Sequence, residues 1–141
     1  LEDDDLNISL TVINMKKIFT CFLIFWISQE VNAQVNLDER KFAIILSLEG
    51  ERQYSDSLFF TNGNLFFSTA KKYGFAPAPY RAREKKNLSI EGTATNESKM
   101  NGIMHWNFQI MNDSIYGEAT LDTRLQNPVK HNFTGKEIKL P

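Results

Sequence analysis

The sequence predicts an all-β fold, a small antiparallel meander of about eight strands forming a closed or nearly closed up-and-down barrel. Three observations carry this expectation. Residues 99–121, KMNGIMHWNFQIMNDSIYGEATL, read as two strands joined at Asn112-Asp113. A second turn signal, Asn62-Gly63, sits between two apolar runs. Short alternating segments recur between polar turns, with no repeat, heptad or long amphipathic helix.

The 99–121 segment is the most strongly specified. A turn at Asn112-Asp113 sets Met111 opposite Ser114, Ile110 opposite Ile115, Phe108 opposite Gly117, Trp106 opposite Ala119 and Met104 opposite Leu121. Side chains alternate along a strand, so the last four pairs share one wholly apolar face. Gln109 with Tyr116, Asn107 with Glu118 and His105 with Thr120 make the other, mostly polar face. A slip of one residue would exchange the two faces, so the register is tightly set.

Taken in order, residues 1–14 are acidic and precede Met15; they read as upstream frame rather than as a portion of the domain. From Met15 a basic head (Lys16, Lys17), an apolar run (Ile18 to Ile27) and a Val31-Asn32-Ala33 site describe a signal peptide over 15–33. The run is too short to cross about 30 Å of hydrocarbon, so no stable membrane span is expected after cleavage. The expected location is periplasmic or secreted. Cys21, the only cysteine, lies inside that run and leaves the mature chain without a disulfide. Removing Lys16 and Lys17 and five acids (Glu2, Asp3, Asp4, Asp5, Glu30) turns a formal net charge of -1 into +2. That is too little to imply nucleic acid.

The single domain expected over 34–141 opens with a strand at Lys41–Glu49, with Phe42, Ile44, Leu46 and Leu48 on one face. Gly50 to Ser55 reads as a turn, and Asp56–Phe60 and Asn64–Ser68 flank the Asn62-Gly63 hairpin turn. Its register stays open, because a bulge at Gly63 would change which phenylalanines point inward. Ser68–Phe75 suits one helical turn, with Ser68 as cap and Gly74 as terminator. Ala76-Pro77-Ala78-Pro79 makes an extended link, Tyr80–Arg83 a short strand and Lys85-Lys86-Asn87 a turn. Leu88–Thr95 alternates again, with Leu88, Ile90, Gly92 and Ala94 inward, and Asn96–Gly102 is a polar connection. A loop at Asp122–Pro128 and a last strand from Val129 to about Ile138, with Val129, His131 and Phe133 on one side, complete the meander.

No catalytic or metal-ligating set emerges. The chain has two histidines, His105 and His131, and no mature cysteine, short of the three or four ligands a metal needs. There is no Gly-x-Ser-x-Gly, phosphate loop or dinucleotide fingerprint, so neither an enzyme nor a cofactor is expected. In the mature chain Asn-x-Ser/Thr triplets begin at Asn87, Asn96, Asn112 and Asn132, but the Met-Lys-Lys-Ile head looks bacterial and they are given no weight. The candidate binding segment is Lys71–Lys86, KKYGFAPAPYRAREKK. Its candidate residues are Lys71, Lys72, Tyr73, Phe75, Tyr80, Arg81 and Arg83, cations among aromatics on a proline-stiffened link. In the competing reading Phe75 and Tyr80 plug one barrel end and the cations are simply solvated.

LFFTNGNLFF (58–67), Tyr73-Gly74-Phe75 with Pro79-Tyr80, and Met104-x-Trp106 through Ile115-x-Gly117 together resemble a group of small exported bacterial proteins without assigned function. That resemblance implies a compact β domain and carries over no active residue. In general plan the chain is also similar to the small meander barrels of avidins, lipocalins and bacterial protease inhibitors. The function expected is a non-catalytic protein-binding or inhibitor-like module of the bacterial envelope. The alternatives are a barrel that takes a small apolar or anionic ligand through an open end and, with least support, a hydrolase. Bulky inward side chains favour the first, because they fill an eight-stranded interior. Oligomeric state is left open.

Overall fold

The computed structural model describes residues 33–48 and 53–139. Apart from Ala33, the expected leader lies outside the described residues, as do the residues before it and Gly50 to Arg52 of the first expected turn. Eight strands run in sequence order: β1 (Lys41–Leu48), β2 (Gln53–Thr61), β3 (Asn64–Phe67), β4 (Ala78–Glu84), β5 (Ile90–Ser98), β6 (Gly102–Met111), β7 (Ser114–Asp122) and β8 (Val129–Glu137). Each pairs antiparallel with its neighbour and β1 pairs with β8, so the sheet is a closed barrel. Closure leaves no strand at a free sheet margin, which is why the meander does not stay open.

The β6–β7 hairpin adopts the expected register throughout, from Met111 opposite Ser114 to Met104 opposite Leu121. Trp106, Phe108, Ile110, Ile115 and Ala119 on its apolar face are buried. The Asn62-Gly63 turn carries no bulge: Thr61 pairs with Asn64 across it, and both turn residues have positive φ, 50° and 73°. Those values suit the two-residue loop whose twist matches that of the strands. Leu58, Phe60, Leu65 and Phe67 therefore point inward, while Phe59 and Phe66 stack outside at 4.7 Å.

Aromatic rings fill the interior along its length. Phe42 packs on Phe60 (6.1 Å), Phe60 on Phe108 (5.3 Å), Phe67 on Trp106 (5.4 Å) and Trp106 on Phe133 (5.5 Å). The meander places successive connections at alternate ends. The lower end carries the turns at 62–63, 85–89 and 112–113; the upper end carries the connections from β3 to β4, β5 to β6 and β7 to β8.

Several boundaries differ from those expected. β2 begins at Gln53 rather than Asp56, because Gln53, Tyr54 and Ser55 pair with Ser47, Leu46 and Ile45. β4 takes in Ala78 and Pro79, which pair with Leu65 and Asn64. β5 is shifted to Ile90–Ser98. Leu88 turns outward at φ 61° and is 79% exposed, while Asn96 and Ser98 face inward. The polar pair is tolerated because it is bonded: Asn96 Nδ2 donates to Leu65 O (3.0 Å) and Ala76 O (2.8 Å), and Ser98 Oγ to Tyr73 O (2.9 Å). Leu48, expected inside, lies at the upper rim and is exposed. The helical turn is a 3₁₀ turn at Ala70–Tyr73, preceded by Thr69 and closed by Gly74 at φ 70°. Ser68 is not its cap; the Ser68 and Thr69 hydroxyls donate instead to Asp56.

One element had no sequence signal. Residues 33–40, without regular structure, cross the lower end. Val35 N donates to Ala82 O (2.9 Å), Glu39 N to Phe60 O (2.8 Å) and Gly63 N to Asp38 Oδ1 (2.9 Å). Leu37 is buried, and its N–H donates to the Tyr80 hydroxyl at 2.8 Å. The segment occupies the gap left because β3 is short and meets β4 only through Asn64↔Pro79 and Leu65↔Ala78. Backbone groups of β4 that β3 cannot reach find partners there, as buried backbone polar groups must.

Candidate functional site

A broad concavity among the described residues lies outside the barrel rather than within it. It is a shallow groove of about 920 Å³ over β7, β8, β1 and β2. Two cross-strand rows make its wall. Tyr116, Thr134, Ile45 and Ser55 form one, through the pairs Tyr116↔Thr134, Thr134↔Ile45 and Ile45↔Ser55. Ser114, Lys136, Ala43 and Ser57 form the other in the same way. These positions alternate with core positions, so each must be outward once Ile44, Ile115 and Phe133 are inward.

Most of the outward side chains of the groove are short, and the backbone of Gly135, at an inward position of β8, forms part of its floor. A Cβ there would come within 2.3 Å of Ala43 O, so β8 and β1 approach too closely for any other residue. A second hollow of about 330 Å³ adjoins it over β5, β6 and β7. Gly92 and Gly117 line this one, and a Cβ at Gly92 would meet the Phe108 ring at 2.3 Å. Thr93, Asn107, Gln109 and Glu118 surround it. Tyr116 belongs to both hollows and stands between them. Its hydroxyl donates to Gln109 Oε1 at 2.7 Å, which fixes the ring.

Charges around this wall are paired. Lys136 Nζ lies 3.0 Å from Asp113 Oδ1 and donates to Ser114 Oγ at 2.7 Å. Glu91 takes both Arg83 (2.9 Å) and Lys85 (3.0 Å), and Glu118 takes Lys130 (3.0 Å). The Arg83 hydrogen bond, then that of Lys85, holds the Glu91 carboxyl below its ordinary range; Lys136 does the same for Asp113. At the groove's edge Asp56 accepts from Ser57 N (2.7 Å) and from the Ser68 and Thr69 hydroxyls, which ties the approach to the 3₁₀ turn to β2.

The residues singled out in Lys71–Lys86 divide into three groups. Lys71, Lys72 and Tyr73 are exposed on the 3₁₀ turn at the upper end, with Lys72 Nζ 5.3 Å from the Tyr73 ring centre. Phe75 and Tyr80 are buried: Phe75 packs on Phe67 at 5.4 Å, and Tyr80 packs on Phe60 at 5.2 Å. Burial pushes the Tyr80 hydroxyl up from its ordinary range. Neither ring offers a surface to a partner. Arg81 and Arg83 are exposed on the outer wall of β4, opposite Thr93 and Glu91. Among the described residues no three of His, Cys, Asp and Glu come together in a way that would hold a metal ion. The groove was not singled out from sequence, since its residues come from four strands and are individually ordinary. Only their shared register draws them together. No family model, curated protein or solved structure matches this chain.

Proposed function

We propose that this protein is a non-catalytic binding module of the bacterial envelope that recognises its partner on the outer wall of the barrel, at the groove over β7, β8, β1 and β2. One observation carries the reading. Rings occupy the interior from Phe42 to Trp106 and Phe133, while about 920 Å³ of recess lies outside. A barrel that holds a ligand in its mouth needs the opposite arrangement. The exposed Ile45 and Tyr116 sit among short hydroxyl side chains, and sites of this kind combine apolar contact with a few placed polar groups. A rigid sheet also holds them in position without an ordering cost on docking.

The test is capture from a bacterial envelope extract on the immobilised protein, comparing the parent with the double variant Ile45→Glu, Tyr116→Ala. Both side chains face solvent, so the variant's unfolding midpoint is expected to stay close to the parent's. Whatever the parent retains should fall at least about tenfold, the loss expected from removing a central aromatic anchor. Unchanged recovery of the same partners would show that recognition lies elsewhere.

A further inference from the structure

Resting on that reading of the wall, we infer that the ligand it takes is a neutral polysaccharide, bound across Tyr116 with one hollow on each side. The two recesses differ in depth but share one chemistry. The larger presents hydroxyls, Ser55, Ser57, Ser114 and Thr134, beside the aliphatic Ala43 and Ile45. The smaller presents side-chain amides and a hydroxyl, Asn107, Gln109 and Thr93, over a floor that includes Gly92 and Gly117. Amides and hydroxyls both donate and accept, which matches the mixed donor and acceptor character of sugar hydroxyls. Tyr116 stands between the hollows with its ring fixed through Gln109 and 39% of its surface open. An aromatic face with negative quadrupole is the partner for the C–H-rich face of a pyranose ring.

Charge decides against an anionic ligand. Glu91, Glu118 and Lys136, the charged side chains that reach these two hollows along with Asp56, each have an opposite charge at 2.9–3.0 Å. Asp56 is engaged by two hydroxyls and the Ser57 N–H. A phosphorylated or uronic polymer would find no uncommitted cation among the described residues of the two hollows, and a basic one no uncommitted carboxylate.

The experiment is affinity electrophoresis and titration calorimetry of the full chain with maltohexaose, cellohexaose and chitohexaose, with polygalacturonate as the anionic counterpart. At least one neutral hexaose should bind, with affinity constant to about twofold as salt rises from about 0.1 M to about 1 M, because no charge is paired on binding. Tyr116→Phe should keep most of that affinity and Tyr116→Ala should lose at least about tenfold, since the ring rather than its hydroxyl makes the contact. Asn107→Ala should weaken binding by about threefold to tenfold through one lost hydrogen bond. Binding of polygalacturonate alone, binding of no sugar, or full affinity in Tyr116→Ala each overturns the inference. If no sugar binds but the Ile45→Glu, Tyr116→Ala variant still loses a captured protein, the wall remains the recognition surface and only its ligand has been misjudged. If that capture is also unchanged, both readings fall.

Discussion

His131 shows how a single side chain can write a pH dependence into the fold. It points inward from β8, opposite Ala119 and Leu48, with the Tyr54 ring at 6.5 Å. Its Nδ1 is buried and has no partner among the described residues, and burial pushes the imidazole down from its ordinary 6.5. The unfolded chain therefore takes up this proton at a higher pH than the folded one. Where the unfolded state binds more protons, stability rises with pH. The His131 contribution is full above the unfolded value, is lost as pH falls below 6.5, and levels off beneath the folded value. Arg40 holds Glu137 down, and Arg83 and Lys136 hold down Glu91 and Asp113, so those groups act only below their ordinary 4.5 and 3.8. Their stabilisation is lost as pH falls through their folded values. The two windows open at different pH, one below 6.5 and the other below 4.5. Thermal melts should show a midpoint that starts to fall as pH drops below about 6.5, and His131→Phe should flatten that onset while keeping the fall that sets in below about 4.5. An unchanged slope in the variant would assign the dependence to another group.

At the scale of elements, two glycines of similar appearance in the sequence have different duties. Gly63 lies in the β2–β3 turn at φ 73°, with nothing within 4 Å of the position a Cβ would take. Gly63→Ala should cost about 1 kcal/mol, the backbone penalty alone. Gly117 lies inside β7, where a Cβ would be 2.0 Å from Asn107 O and 2.9 Å from Phe108 Cα. Those are backbone atoms of β6, so Gly117→Ala must push β7 away from its paired neighbour and should cost about 3 kcal/mol or more. Urea unfolding of the two variants side by side measures the difference, and equal midpoints would mean that the β6–β7 contact has slack. The same contrast explains what was legible beforehand. The β6–β7 hairpin could be read whole, because large apolar residues alternate with polar ones and face small ones across a turn. β5 was displaced because its upper inward positions, Asn96 and Ser98, are polar and donate to distant backbone carbonyls, bonds that no local pattern announces. Leu88 continued the alternation but stands at φ 61°, so it turns away from the core. Residues 33–40 have no periodicity, and Leu37 is buried by what lies over it. Of the candidate surfaces, the Lys71–Lys86 cations could be seen in sequence because charge clusters locally. The groove could not, because it exists only across strands.

The whole barrel is unevenly held together. β5–β6, β6–β7 and β7–β8 are paired along nearly their full lengths, whereas β3 and β4 share two residue pairs and depend on residues 33–40 and Asn96 for the rest. Local opening follows the weakest pairing, so amide exchange should be fastest along this seam. The amide of Tyr80, bonded to Gly63 O at 3.2 Å, and that of Val35 are expected to exchange on the order of a hundredfold sooner than those of Trp106 and Phe108. Hydrogen exchange followed by mass spectrometry or NMR reads this directly, and uniform protection around the circumference would contradict it. The closing seam, β1 with β8, has a consequence of another kind, one of timing. Its two strands are the first and last of the barrel, so β1 is synthesised long before the strand that completes its pairing. Until residues 129–137 arrive, Phe42 to Leu48 has hydrogen-bond partners on one side only. Contacts this distant in sequence form late, because the intervening chain must first be brought round. A nascent chain therefore cannot lock into the barrel early; β1 keeps one bare edge until its last partner has been made.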